Sequence, residues 1–394
     1  MSNKTNKLNE IFSVSRAVCT DEGWQRCLSA MPPSLSTPDF PERLARCIDD
    51  FSVPPYMADL ARLELAVHQC QGFQGDRLTT DDGGLSLNPS LALLDLDWSG
   101  LSAVVEDPSY AISDPPQPCS EMVMVWKHAE SGSVRYRKAQ HNDLLSIKII
   151  LEEIDPEKAA AEGGVSIGFI DNIINQSVQH GIILRAPSKL RRDAKLSDQI
   201  DLDVDRYLSP SVFTLQWHIT QACDLHCKHC YDRSKRSPLK LEQGFKVLDD
   251  LRAFCVRNNI KGQVSFTGGN PLLYPHFTEL YRAASDRGFM LAILGNPTTP
   301  EKVDELLAIQ KPEFFQVSLE GLADHNDDIR GSGHFARVMD FLDILRSKRV
   351  YSMVMLTLTQ ANFQQVLPLG EMLREKADLF IFNRLTLFGE GANI

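Results

Sequence analysis

From Phe213 onward, short apolar runs alternate with amphipathic stretches, and this pattern predicts repeated βα units. The expected strands are 213–219, 263–266, 289–294, 314–319, 351–358 and 379–387. The expected helices between them are 241–257, 275–287, 300–309, 335–348 and 362–376. Thr299 followed by Pro300 and Glu301 has the chemistry of a helix start. Six strands with intervening helices predict an α/β fold with a parallel sheet, curved into a partial barrel or left open. Such sheets bind ligands at the carboxyl ends of their strands.

The first 205 residues carry other periods. Residues 40–75 are helical in pattern, with apolar positions at helical spacing from Tyr56 to Val67. Pro- and Gly-containing segments follow at 72–84 and 107–118. The run 121–128, a Ser131-Gly132-Ser133 turn and the run 134–137 predict a β-hairpin. Two helices are expected at 142–154 and 167–179, then a short strand at 182–184. Hairpin, two helices and strand suggest a winged-helix-like α+β module, and 187–206, with Arg191 and Arg192, reads as a linker. The expected domains are therefore 1–110, mostly helical; 111–205, the winged-helix-like module and linker; and 206–394, the βα region.

A length of 394 residues exceeds what one core usually supports, in keeping with more than one domain. The formal net charge of −11 argues against nucleic acid as the main partner. The N-terminus is polar and no stretch approaches a membrane span, so no membrane association is expected. Cys19, Cys27, Cys47, Cys70, Cys119 and Cys255 are scattered, which points to a reducing cytoplasm rather than a disulfide framework. The basic residues Arg233, Lys235, Arg236 and Lys240 suit a solvated loop or contact with an anionic group.

The remaining cysteines, Cys223, Cys227 and Cys230, form a C-x3-C-x2-C cluster directly after the first strand of the βα region. Three thiolates there can hold three irons of a cubane and leave the fourth iron open for chemistry. A zinc site completed by His226 or His229 is the competitor, but zinc sites more often pair two C-x2-C motifs and no second pair exists here.

The stretch from Cys223 to Tyr231 resembles the signature of the radical SAM superfamily, and further motifs match in order across residues 206–394. The resemblance implies a partial (β/α)6 barrel. It implies a [4Fe-4S] cluster on Cys223, Cys227 and Cys230, whose open iron binds S-adenosylmethionine, with Tyr231 closing the motif. Reductive cleavage then yields a 5'-deoxyadenosyl radical, fed by an electron donor such as flavodoxin or ferredoxin. Gly268-Gly269-Asn270-Pro271 stands at the family's Gly-Gly-Glu-Pro position, which binds the cofactor's amino group, with Asn270 in place of the acid. The amide oxygen of Asn270 can accept from an ammonium but supplies no charge. Asn296 resembles the residue of the turn after the third strand. By the same analogy Ser318 and Glu320 face the ribose, and Arg330 pairs with the cofactor carboxylate. Met355 and Leu385 suit either adenine packing or the core.

Residues 382–393 resemble the exit of the SPASM-type subgroup, whose members usually continue into a cysteine-rich domain. No cysteine follows Cys255 here, so the expectation is either a truncated chain or a form without auxiliary clusters. Residues 119–186 resemble leader-recognition modules that add a precursor peptide as a strand. The whole looks most like maturases of the selenobiotic or thio(seleno)oxazole type. The expected function is thus modification of a ribosomally made peptide. The alternatives are a radical SAM enzyme acting on a small molecule or protein residue, and an inactive peptide-binding scaffold.

Overall fold

The computed structural model describes residues 3–32, 36–47, 53–74, 84–190, 209–234, 237 and 239–393. The expected linker beyond 190, the domain boundary at 205, most of 72–84, and Lys235 and Arg236 lie outside the described residues. The chain forms two compact units, one of 1–159 with 170–186 and the other of 160–169 with 187–394.

In the first unit, helices Asn3–Ile11, Ser13–Ala17, Asp21–Ser29, Phe40–Cys47 and Met57–Gln71 enclose Phe12, Trp24 and Phe40; Phe40 stacks on Phe12 at 4.6 Å and meets Trp24 edge-on at 5.9 Å between centroids. The buried Glu64 carboxylate accepts from the Val14 and Ser15 N–H groups at 2.6 and 2.9 Å, capping the start of the helix Ser13–Ala17. Strands β1 (Leu85–Leu87), β2 (Ala92–Ser99), β3 (Gln117–Lys127), β4 (Val134–Lys138) and β5 (Ile183–Arg185) follow. β2, β3 and β4 make an antiparallel sheet in that order, and β1 pairs antiparallel with β5. The hairpin stands where its turn residues place it. Its sheet takes a third strand from β2, which lies before residue 110, so the expected boundary there cuts through the sheet. Three helices, not two, follow the hairpin: His141–Leu151, Pro156–Gly163 and Ile167–Gln179. Asp143 fixes the start of the first of them, accepting from the Gln140 N–H and from both Arg137 terminal nitrogens at 2.7–2.8 Å.

The second unit is an α/β layer structure. β6 (Val212–Thr220), β7 (Lys261–Gly268), β8 (Met290–Leu294), β9 (Phe314–Ser318), β10 (Ser352–Leu358) and β11 (Leu379–Arg384) form a parallel six-stranded sheet in chain order. Crossover helices Leu241–Arg257, Phe277–Asp286, Pro300–Leu307, His334–Ser347 and Val366–Leu373 join the strands. These match the expected elements to within a few residues at most ends. The last helix is shorter than expected, because Phe363–Gln365 is a 3-10 turn. One helix, Ala323–Arg330, has no counterpart among the expected elements. Parallel strands in order with helical crossovers place every strand's carboxyl end on one rim.

Phe266 on β7 anchors the core beneath that rim. It is fully buried and meets Trp217, Phe277 and Tyr281 at centroid distances of 6.1, 5.5 and 5.8 Å. Replacing it by alanine removes this packing and leaves a cavity. Phe266→Ala is expected to cost about 3–5 kcal/mol in urea unfolding followed by tryptophan fluorescence, and Phe266→Leu clearly less. A loss below about 1 kcal/mol for the alanine variant would contradict the packing described.

Candidate active site

At the rim, the loops after β6 and β7 are stitched together through backbone. Gly269 N–H donates to Thr220 O at 2.8 Å and Asn270 N–H to Ala222 O at 2.7 Å. Gly268 sits at φ +146°, and a Cβ at Gly268 or Gly269 would run into the Thr220 and Ala222 carbonyls. The two glycines are needed for this approach of backbone to backbone. Pro271 then opens a 3-10 turn capped by the Asn270 side chain, whose Oδ1 accepts from Leu272 N–H at 3.3 Å.

The β6 loop carries the cysteines. Cys223 is exposed, Cys227 and Cys230 are half-buried, and all three thiols are free. Cys230 N–H donates to Cys227 O at 3.2 Å, and Arg233 Nη2 donates to the same carbonyl at 2.6 Å. Burial pushes the Cys227 thiol up, the Arg330 guanidinium opposes this, and Cys223 and Cys230 add to the rise. The three sulfurs therefore share one electrostatic neighbourhood. Among the described residues no three His, Cys, Asp or Glu side chains converge on a single ion. A cubane does not require them to, because it takes each cysteine on a different iron.

Behind this loop lies a buried ion pair. Glu320 is 1% exposed, and its Oε1 accepts from Arg330 Nε at 2.8 Å and Nη2 at 2.5 Å. Oε2 accepts from Thr357 N–H at 3.0 Å on β10. His229 Nε2 lies 2.9 Å from Oε1, within ion-pair range but off the direction a hydrogen bond needs. Burial pushes the Glu320 carboxyl up, but Arg330 and His229 outweigh it and hold it at about 2. Burial and Arg330 likewise hold the nearby His334 imidazole down at about 4.

The expected ribose-side Glu320 therefore has its carboxylate engaged within the protein, as the counter-ion of Arg330. Arg330 uses Nε and Nη2 on Glu320, and Nη1 has no protein acceptor among the described residues. It belongs to the helix Ala323–Arg330, whose only apolar residues are Ala323 and Ile329, so it offers no apolar period to find it by. Ser318 ends β9 half-buried, and the exposed Tyr231 places its hydroxyl 2.8 Å from His218 Nε2. Met355 and Leu385 are half-buried on β10 and just after β11.

The structure adds a residue that the sequence reading passed over. Asp224, next to Cys223, accepts at Oδ1 from Asn270 Nδ2 at 3.0 Å and from Asn296 Nδ2 at 2.6 Å. Asn296 Nδ2 also lies 3.6 Å from Cys223 Sγ. Asn270 and Asn296 are 4% and 8% exposed, so two nearly buried amides from separate strand ends orient one carboxylate. Its acidity inside the cysteine motif was the available signal.

Residues 217–372 match the family model described as the Radical SAM superfamily. This part of the chain is a radical SAM domain. Family members use a [4Fe-4S] cluster and S-adenosylmethionine. The chain is 30% identical over 187 residues to the mycofactocin maturase MftC of Mycobacterium tuberculosis, covering 46% of each chain. It is 27% identical over 188 residues to the Fe-coproporphyrin III synthase of Methanosarcina barkeri, covering 45% of each. The matched stretch thus spans about half the length of these relatives. Among solved structures, Streptococcus suis SuiB bound to S-adenosylmethionine aligns with a TM-score of 0.39 at 16% identity, covering 68% of this chain and 60% of that one.

The donor set suits the family's cluster: three free thiols on one loop, with a guanidinium held beside them to offset the cluster's negative charge. That guanidinium depends on Glu320. Glu320→Gln is expected to cost about 3–5 kcal/mol at pH 7 in denaturant unfolding, since it strands the buried Arg330 charge. The sign with pH follows from the depressed carboxyl. Its stabilising contribution is complete above the unfolded value of about 4.3 and is lost as pH falls from there toward about 2. The gap between wild type and Glu320→Gln should narrow over that window; a constant gap would remove the ion pair as its cause.

Proposed function

We propose that the chain is a radical SAM enzyme that modifies a ribosomally made peptide. The observation that carries this reading is the arrangement at the rim of the radical SAM domain: three free thiols, an oriented Asn270–Asp224–Asn296 cluster and a largely buried Arg330. When bound, the cluster and S-adenosylmethionine supply a 5'-deoxyadenosyl radical that abstracts hydrogen from the substrate.

The protein's own residues bind, orient and exclude water. Cys223, Cys227 and Cys230 would hold the cluster. Gly268 and Gly269 bring the β7 loop against the cysteine loop, and Asn270, Pro271, Asn296 and Ser318 line the cofactor's side of the rim, with Tyr231 at the loop's exit. Arg330, fixed by Glu320 through Nε and Nη2, would pair with the cofactor's carboxylate. Glu320 acts through Arg330, which takes the place of the ribose contact that the resemblance implies. A flavodoxin or ferredoxin would supply the electron. The free thiols among the described residues suit a cytoplasmic setting.

The peptide reading rests on the first unit. Its β2–β3–β4 sheet, followed by the helix His141–Leu151 and most of Ile167–Gln179, supports a winged-helix-like module, and β4 is an edge strand to which a leader peptide could add. The maturase named above favours the same substrate class. The Fe-coproporphyrin III synthase supports a second reading, a small-molecule substrate, because it matches the same domain over a similar length.

Anaerobic reconstitution is expected to give a brown protein that releases 5'-deoxyadenosine with dithionite and S-adenosylmethionine, whereas Cys227→Ala should do neither. Zinc bound in place of iron would remove the enzymatic reading. Titrating the full chain with a precursor peptide encoded nearby is expected to show saturable binding. A chain that cleaves the cofactor but binds no such peptide would favour the small-molecule reading.

A further inference from the structure

S-adenosylmethionine presents one carboxylate, one ammonium and one sulfonium, so a site at this rim needs an anion as well as the cation Arg330. The acidic groups around the cysteine loop differ sharply in their availability. Glu320 has both oxygens engaged inside the fold. Asp232 accepts from Gln221 Nε2 at one oxygen and from Ser234 N–H at the other. Asp327 accepts from Gly333 and Phe335 N–H groups, and Asp328 pairs with Lys228 at 2.6 Å.

Asp224 differs from all of these. Its Oδ1 is gripped by two nearly buried amides, while Oδ2 has no hydrogen-bond donor among the described residues and the residue is exposed at the rim. The shared Asn296 amide ties its position to Cys223 Sγ. Asn270 cannot serve instead as the anion. It is neutral, its amide nitrogen points at Asp224, and its oxygen already accepts from Leu272 N–H. Carboxylates bind an ammonium more strongly than a neutral amide oxygen does.

We propose that Asp224, oriented by Asn270 and Asn296, is the anionic residue that receives the ammonium of the cofactor's methionyl moiety. The inference rests on the functional reading above and specifies which residue of that site discriminates its ligand. Asn270 and Asn296 are then positioning residues. Neither supplies charge; both hold Oδ1 so that Oδ2 faces the ligand.

The test uses the full chain, reconstituted with cluster under anaerobic conditions, with iron and sulfide content matched between variants. Affinity is measured by equilibrium binding for S-adenosylmethionine and for its 2-oxo analogue, in which a carbonyl replaces the amine. Asp224→Asn is expected to weaken binding of S-adenosylmethionine by about tenfold to a hundredfold, while leaving the 2-oxo analogue within about threefold. If Asp224→Asn loads cluster poorly, Asp224→Ser is read in its place by the same comparison. Unchanged affinity for S-adenosylmethionine, or equal losses for both ligands, would overturn the assignment while leaving the enzymatic reading intact. A cluster-loaded wild type that binds no S-adenosylmethionine would overturn both, so the two failures are distinguishable.

Discussion

Glu320 sits just beyond the end of β9 with its whole carboxylate committed: Arg330 and His229 at one oxygen, the Thr357 N–H at the other. Burying a charge costs several kcal/mol unless it is paired and hydrogen-bonded, so this position tolerates no loose arrangement. Its main chain is held as firmly. Asn326 Oδ1 accepts from the Glu320 N–H, and Asn362 Nδ2 donates to the Glu320 carbonyl. One residue thereby fixes β10, the helix Ala323–Arg330, the loop before Val366–Leu373 and, through His229, the cysteine loop. The Lys228 N–H donating to Ile329 O reinforces the last of these links.

From that anchor the charges at the rim fall into order. Arg330 is held beside Cys227 and Cys223, where a positive charge offsets the rise that burial imposes on the Cys227 thiol. Asp224 has its own layer of neutral amides and no direct tie to Glu320 among the described residues. The two groups of opposite sign are thus kept apart by separate supports. Such a site can accept a zwitterionic ligand without first breaking an internal salt bridge between them.

Much of this was legible from residue patterns. The apolar runs at 213–219 through 379–387 mark the strands because the central ones, β7 and β8, are largely buried and so read as short apolar segments, while the edge strands β6 and β11 are more exposed. The Ser131-Gly132-Ser133 turn marks the hairpin for the same kind of local reason. Where local signals fade, elements are missed. Ala323–Arg330 has too few apolar residues to show a period, yet the Asp327 carboxylate accepts from Gly333 and Phe335 N–H groups and ties the helix to the next one. β1 has three residues, too few to show a period, and its partner β5 lies almost 100 positions away. β2 was missed too, in a region read as mostly helical, although Leu94, Leu96 and Trp98 alternate with Asp95 and Asp97 at strand period.

For the site, sequence determined the chemistry that is covalently local. Cys223, Cys227 and Cys230 lie within eight residues after a strand, and the adjacent glycines 268 and 269 follow the next strand, so their types and spacing suffice to name a cluster loop and a close-packed turn. Tertiary structure decided the partners. Asp224 and Asn270 are 46 positions apart, Asp224 and Asn296 are 72 apart, and Glu320 meets His229 only once β6 and β9 share a sheet. A side chain's type is written in the chain, but the group that neutralises it is chosen by which strand ends the fold brings to one rim. That is why Glu320 turns inward to Arg330 and Asp224 remains facing out.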